Sequence, residues 1–177
     1  MNNVLAKIGE LGLVPVVKIE DAKDAVSLGK ALLEGGLPVA EITFRTAAAE
    51  EAIRTLTTEL PNLLVGAGTV LTVENVKKAV AAGAKFIVAP GFNPRVVGYC
   101  VENNIPVTPG INSPTQIEMA LERGLTVLKF FPAEASGGLP LLKAMAAPYG
   151  GVSFIPTGGI NKDNLNTYLS FNKVHAC

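Results

Sequence analysis

Two charged side chains sit where the surrounding residues are apolar. In the run TVLKFFP, Lys129 is flanked by Val127, Leu128, Phe130 and Phe131, and in VAEITFR, Glu41 lies between Ala40 and Ile42. Both runs are rich in β-branched and aromatic residues and read as strands, whose side chains alternate between two faces. Period two groups Val127, Lys129 and Phe131 opposite Leu128, Phe130 and Pro132, and it groups Val39, Glu41, Thr43 and Arg45 opposite Ala40, Ile42 and Phe44. If the apolar sets meet covering helices, Lys129 and Glu41 point into the same interior. Burial disfavours an ammonium, and the neutral amine that remains can attack a ketone and form a Schiff base. A buried carboxylate in turn needs a cation or a proton close by, and a carboxyl so placed can carry protons. A structural salt bridge between Lys129 and Glu41 satisfies the same pattern, so the pattern alone leaves both readings open.

Other groups add to this pair. Thr69 ends LLVGAGT, where its hydroxyl could bind a carboxylate oxygen, although threonine is also common in strands. Lys18 shares a face with Val14 and Val16 and is a second candidate interior lysine, unless its long side chain reaches solvent. Pro90, Gly91, Pro109 and Gly110 close two strands as turn residues. In PTGGI, Gly158 and Gly159 could offer backbone N–H groups to an anion at the start of the next helix, or simply serve a tight turn.

The elements that must hold these groups follow a regular rhythm. From Val14 onward, short runs rich in Val, Ile and Phe alternate with longer Ala, Leu, Glu and Lys segments, and Gly or Pro marks most junctions. The strands are expected at VPVVKI, VAEITF, LLVGAG, KFIVAP, IPVTPG, TVLKFFP and VSFIPTGG, with an eighth starting near Val174. Between them, TVENVKKAVAAG and SPTQIEMALERG open on a Thr or Ser cap and end in Gly. DAKDAVSLGKALLEGG carries Ala25, Leu28, Leu32 and Leu33 at near-helical spacing. No hairpin dipeptide interrupts the series, so the strands are expected to be parallel. The even spacing of the units favours a closed (β/α)8 TIM barrel over an open doubly wound sheet. The chain carries neither G-x-G-x-x-G nor G-x-x-x-x-G-K-[ST], so a nucleotide site is not expected. Residues 1–177 read as a single barrel domain with an extra N-terminal helix before Val14 covering its bottom.

Composition narrows the partner. Fifteen Lys plus Arg balance fifteen Asp plus Glu, so no net field draws the protein to nucleic acid or to an anionic membrane. A small molecule is the expected partner. The first ten residues lack the order of a secretory signal, and no stretch of about eighteen apolar residues runs without a charge, so a cytoplasmic protein is expected. Cys100 and Cys177 fit no disulfide framework or metal spacing. With His175 as the one histidine, neither a histidine-rich metal site nor a Ser-His or Cys-His nucleophile is expected.

The motifs EITFRT from Glu41, GAGTV from Gly66, APGFN from Ala89, TPGI from Thr108, KFFPA from Lys129 and PTGGI from Pro156 together resemble the 2-keto-3-deoxy-6-phosphogluconate (KDPG) / 4-hydroxy-2-oxoglutarate (KHG) aldolase family. The likeness runs from the amino terminus to Cys177. It implies a class I aldolase, a lyase without metal or cofactor, in which Lys129 forms the Schiff base and Glu41 shuttles protons. It also implies that Arg45 and Thr69 hold the keto-acid carboxylate, Pro90 and Phe131 shape the pocket walls, and Gly158 and Gly159 touch the substrate phosphate. A keto-acid substrate and a homotrimer come with the resemblance. Family members continue past a segment like VHAC with a Gly-Gly-Ser phosphate loop and a last helix, so the last βα unit is expected to be incomplete in this chain. Two competing expectations follow: an aldolase-like barrel impaired by that truncation, or a phosphosugar isomerase or epimerase that uses no imine.

Overall fold

The computed structural model describes residues 3–177. Helices and strands alternate along the chain in the order α1 (Asn3–Leu11), β1 (Val16–Val17), a 3-10 turn (Ala22–Asp24), α2 (Ala25–Glu34), β2 (Val39–Thr43), α3 (Ala49–Glu59), β3 (Leu64–Gly68), α4 (Val73–Ala81), β4 (Ile87–Val88), α5 (Pro94–Glu102), β5 (Val107–Thr108), β6 (Gly110–Ile111), α6 (Pro114–Leu121), β7 (Val127–Phe130), α7 (Ala133–Ser136), α8 (Gly138–Ala146), β8 (Ser153–Pro156) and α9 (Leu165–Leu169). All strand pairings are parallel, with β1 to β5 in one five-stranded sheet and β6 to β8 in a three-stranded one. The fold is therefore α/β with parallel sheets, as the absence of hairpin signals implied.

Several strands are shorter than their apolar runs. The expected fifth strand is split at Pro109, which has no N–H to give to a ladder. VPVVKI contributes only Val16 and Val17, because hydroxyls take over the carbonyls beyond. Thr43 Oγ1 donates to Val17 O at 2.8 Å and Thr46 Oγ1 to Ile19 O at 2.6 Å. The eighth strand is a single parallel bridge, Phe154 to Val174. Around it, Phe154 N donates to Lys173 O and His175 N to Phe154 O, both at 2.7 Å. On its other side Val14 N donates to Cys177 O at 2.7 Å and Cys177 N to Gly12 O at 3.0 Å.

The helices begin where side chains can take the first free N–H groups. Thr72 accepts from Asn75 N ahead of α4 and Ser113 from Gln116 N ahead of α6, both as expected. Asn93 does the same for α5, with Pro94 in its first turn.

Period two sorts the core. Ala40 and Ile42 of β2, with Val65 and Ala67 of β3, pack against Ile53 and Leu56 of α3 and Val76 of α4. Leu128 and Phe130 of β7, with Phe154 of β8, pack against Ile117, Leu142 and Tyr168. Val39, two residues before Glu41, belongs instead to a third cluster with Ile8, Val14, Phe86, Val88 and Ala176. Ile8 anchors α1 there, and a fully buried Ile contributes about 1.5–3 kcal/mol. The His175 ring stands 2.7 Å from Leu5 O, and Gly9 leaves room for it, since a Cβ on Gly9 would lie 2.7 Å from the ring. Among the described residues, no helix is long and apolar enough to cross a membrane.

Candidate active site

Lys129 sits in the middle of β7 and Glu41 in the middle of β2, each on the strand face turned away from the covering helices. The side chains are 7% and 6% exposed, and Lys129 Nζ stands 3.8 Å from Glu41 Oε1. That gap is too long for a hydrogen bond, and Glu41 Oε1 is a buried oxygen without a hydrogen-bond partner. A structural salt bridge at this depth needs close, saturated geometry to offset desolvation, and this pair lacks it. Both groups are accordingly pushed toward their neutral forms. Burial lowers the Lys129 ammonium below the usual lysine range against the pull of Glu41, and the Arg45 charge lowers it further. Burial likewise raises the Glu41 carboxyl above the usual range, opposed by the positive charges of Lys129 and Arg45. An uncharged amine beside a protonatable carboxyl can add to a carbonyl and move protons.

Two neighbouring strands make room for this pair. Gly68, paired with Thr43 across β2 and β3, stands against the Glu41 carboxylate; a Cβ on Gly68 would lie 1.9 Å from Oε1. Gly110 is in register with Lys129, and Lys129 N donates to Pro109 O at 3.0 Å. A Cβ on Gly110 would meet Pro90 O at 2.1 Å, which brings the loop after β4 against β6. The aromatic ring of Phe131 has its centroid 5.1 Å from Nζ.

The remaining sequence candidates all follow the carboxyl ends of strands, where parallel α/β folds gather their ligands. Arg45 is exposed just past β2, and its Nε donates to Thr43 Oγ1 at 3.0 Å. Thr69 follows β3 with φ of 55°, a left-handed conformation that a β-branched residue rarely adopts. Gly158 and Gly159, after β8, have φ of 99° and 84°. They line an open cleft of about 420 Å³ together with Glu41, Phe131 and Thr157. Pro90 and Phe131 share a second cleft with Gly110 and Asn112. Arg45 and Thr69 line neither cleft. Lys18 does not join the interior; it is exposed and ion-paired with Glu20, because its stem follows β1 out to solvent.

Sequence reasoning passed over three contributors. Thr108 and Thr157 line an enclosed pocket with Glu41 and Lys129, and Gly68 shapes it. The signal for Gly68 was available in GAG, where glycines two apart in a strand mark close approach on one face. The threonines carry no comparable signal. Among the described residues, no three His, Cys, Asp or Glu side chains are grouped as metal ligands.

Comparison with known proteins bears on what this site does. The family described as KDPG and KHG aldolase matches residues 4–177. The chain is 49% identical over 177 residues to the 2-dehydro-3-deoxy-phosphogluconate aldolase of Treponema pallidum, covering 100% of this chain and 84% of that one. It is also similar to the solved KDPG aldolase of Legionella pneumophila, in which pyruvate was captured at low pH as a covalent carbinolamine. That match has a TM-score of 0.94 at 38% identity and covers 97% of this chain and 84% of the other. The KDPG aldolase of Zymomonas mobilis, solved with 3-phosphoglycerate, gives a TM-score of 0.93 at 39% identity, covering 97% and 82%.

Proposed function

The chain belongs to the KDPG and KHG aldolase family, whose members are lyases, and we propose that it releases pyruvate from a 4-hydroxy-2-keto acid through a Schiff base on Lys129. The observation that carries this reading is the buried, unbonded Lys129–Glu41 pair, with Nζ 3.8 Å from Oε1 and both groups driven toward neutrality.

The neutral Nζ of Lys129 adds to C2 of the keto acid, and Glu41 relays the proton that turns the carbonyl oxygen into the carbinolamine hydroxyl. Glu41 then gives its proton to that hydroxyl, which leaves as water and yields a protonated imine. Glu41, now a carboxylate, takes the proton of the C4 hydroxyl, the C3–C4 bond breaks, and its electrons flow into the imine to leave an enamine and a free aldehyde. Glu41 returns its proton to C3, and water hydrolyses the imine to pyruvate and the regenerated lysine. The imine acts as the electron sink, so full carbanion charge never develops.

Arg45 and Thr69 hold the pyruvate carboxylate in this scheme. The strained φ of Thr69 supports a functional role there. Pro90 and Phe131 form the walls. Gly158 and Gly159 offer backbone N–H groups to the distal phosphate of KDPG, which yields glyceraldehyde 3-phosphate; KHG, with a carboxylate at that end, yields glyoxylate.

The two sheets are read here as one closed (β/α)8 barrel over residues 1–177, with α1 across its bottom. Closure is supported at both seams: Pro109 alone separates β5 from β6, and residues 174–177 bond to β8 on one side and to Gly12 and Val14 on the other. The family resemblance adds a homotrimer. The test is pyruvate release, followed by a coupled lactate dehydrogenase assay, from KDPG and from KHG. Turnover that disappears in Lys129→Ala supports the reading; turnover that survives this change defeats it.

A further inference from the structure

Thr43 is a buried polar side chain, 1% exposed, that takes no part in the chemistry described above. It stands on the Glu41 face of β2, two residues before Arg45. Its hydroxyl is bonded on both sides: Oγ1 donates to Val17 O at 2.8 Å and accepts from Arg45 Nε at 3.0 Å. The sense of this relay is fixed, because a carbonyl oxygen can only accept and a guanidinium can only donate. The one hydroxyl proton therefore points to β1, and a lone pair points to the arginine. Val17 is in register with Ile42, so the hydroxyl is tied to the sheet itself.

Arg45 is held to Thr43 a second time, through the backbone. Arg45 N donates to Thr43 O at 2.8 Å in a tight three-residue turn, and Phe44 N, inside that turn, donates to Gly68 O at 2.8 Å. The rest of the guanidinium is uncommitted: among the described residues, Nη1 and Nη2 make no hydrogen bond or ion pair. Its charge nevertheless acts on both Glu41 and Lys129. A guanidinium bonded at Nε keeps its two terminal nitrogens as paired donors, the fork that meets a carboxylate at two points. Thr46 offers the contrast. It donates to Ile19 O at 2.6 Å, and among the described residues no side chain donates to it, so it ties down the same stretch of chain without holding an arginine.

We propose that Thr43 is a positioning residue for substrate recognition, holding the Arg45 guanidinium from behind at Nε so that Nη1 and Nη2 face the carboxylate of the keto acid. A long, exposed arginine otherwise samples many rotamers, and fixing it before the substrate arrives removes that ordering cost from binding. This inference rests on the reading of Arg45 as the partner of the carboxylate and of Lys129 as the Schiff-base amine.

The test measures borohydride trapping of pyruvate on Lys129 over a range of pyruvate concentrations, in the parent, Thr43→Val, Thr43→Ser, Thr46→Val, Arg45→Ala and the double variant Thr43→Val with Arg45→Ala. Thr43→Val is expected to raise the half-saturating pyruvate concentration about tenfold, the worth of one hydrogen bond to a charged group. Its trapping rate at saturation should stay parental, since Lys129 and Glu41 are untouched. Thr43→Ser keeps the hydroxyl and should restore parental half-saturation, and Thr46→Val should leave it unchanged. Arg45→Ala should raise half-saturation at least as far, and adding Thr43→Val should change nothing more, because both act through one group. If Thr43→Val does not fold, Thr43→Ala takes its place beside Thr43→Ser, from which it differs in the hydroxyl. Parental half-saturation in the folded valine or alanine variant, an equal rise in Thr43→Ser or Thr46→Val, a loss confined to the saturating rate, or losses that multiply in the double variant overturns the inference alone. Parental half-saturation in Arg45→Ala overturns the carboxylate reading of Arg45 and this inference with it, and no adduct in the folded parent overturns the Schiff-base reading as well.

Discussion

Gly68→Ala isolates the placement of Glu41 from its chemistry. A Cβ on Gly68 would stand 1.9 Å from Glu41 Oε1, 2.6 Å from Cδ and 2.7 Å from Cγ, whereas ordinary contact begins at 3.4 Å. The carboxylate must therefore retreat by about 1.5 Å at its tip. The backbone at Gly68 does not require glycine, since its φ is not among the positive ones, so strain falls on the glutamate side chain. A misplacement of about 1 Å in a catalytic group costs on the order of 100-fold in rate, or roughly 2.7 kcal/mol of barrier. The alanine variant is expected to fold, to lose about that factor in kcat for pyruvate release, and to show little further loss when Glu41→Gln is added, because the two changes disable one group. The assay is kcat for the single and double variants beside a thermal melt. A folded Gly68→Ala enzyme with parental kcat, or a double variant in which the two losses multiply, would refute the link between this glycine and proton transfer.

Thr69→Asn should relax a backbone strain on the order of 1–3 kcal/mol, since asparagine tolerates the left-handed region, and raise Tm by a few degrees. It should raise KM for the keto acid at the same time; a higher Tm with unchanged KM would remove Thr69 from the carboxylate site. Glu41→Gln tests the pH dependence of stability. The native carboxyl is raised above its usual value of 4.5, so between that value and the raised one the folded state binds more protons than the unfolded state, and stability falls as pH rises. Denaturant midpoints of the variant should therefore gain on the parent as pH rises above the usual value of 4.5, and a difference that stays constant with pH would contradict a raised Glu41 carboxyl. Gly110→Ala drives a Cβ into Pro90 O at 2.1 Å, a backbone atom that cannot swing aside, and should lower both Tm and kcat, in contrast to Gly68→Ala. Matching melts for the two alanine variants would contradict that distinction.

Much of this arrangement was legible because period two is a strong constraint in a fold buried on both strand faces. Glu41 and Lys129 stood out as charges inside apolar runs, and the same alternation separated Val39 from Ala40 and Ile42. Helix starts were legible at Thr72 and Ser113, where cap chemistry is local. Strand ends were not, because they depend on distant partners: Thr43 and Thr46 take the carbonyls of Val17 and Ile19 across a loop and a helix. The exposure of Lys18 was equally hidden, since a strand-end lysine has two outlets and the choice rests on Glu20. The strain at Thr69 is a backbone property that residue type does not announce.

The central claim is the amine at Lys129, and the most direct measurement is mass spectrometry of the chain reduced with borohydride in the presence of pyruvate, followed by peptide mapping. One reduced pyruvate on the peptide that carries Lys129, absent in Lys129→Ala, is the expected result. An adduct on another lysine such as Lys18, or none in a chain shown to be folded, would contradict the account.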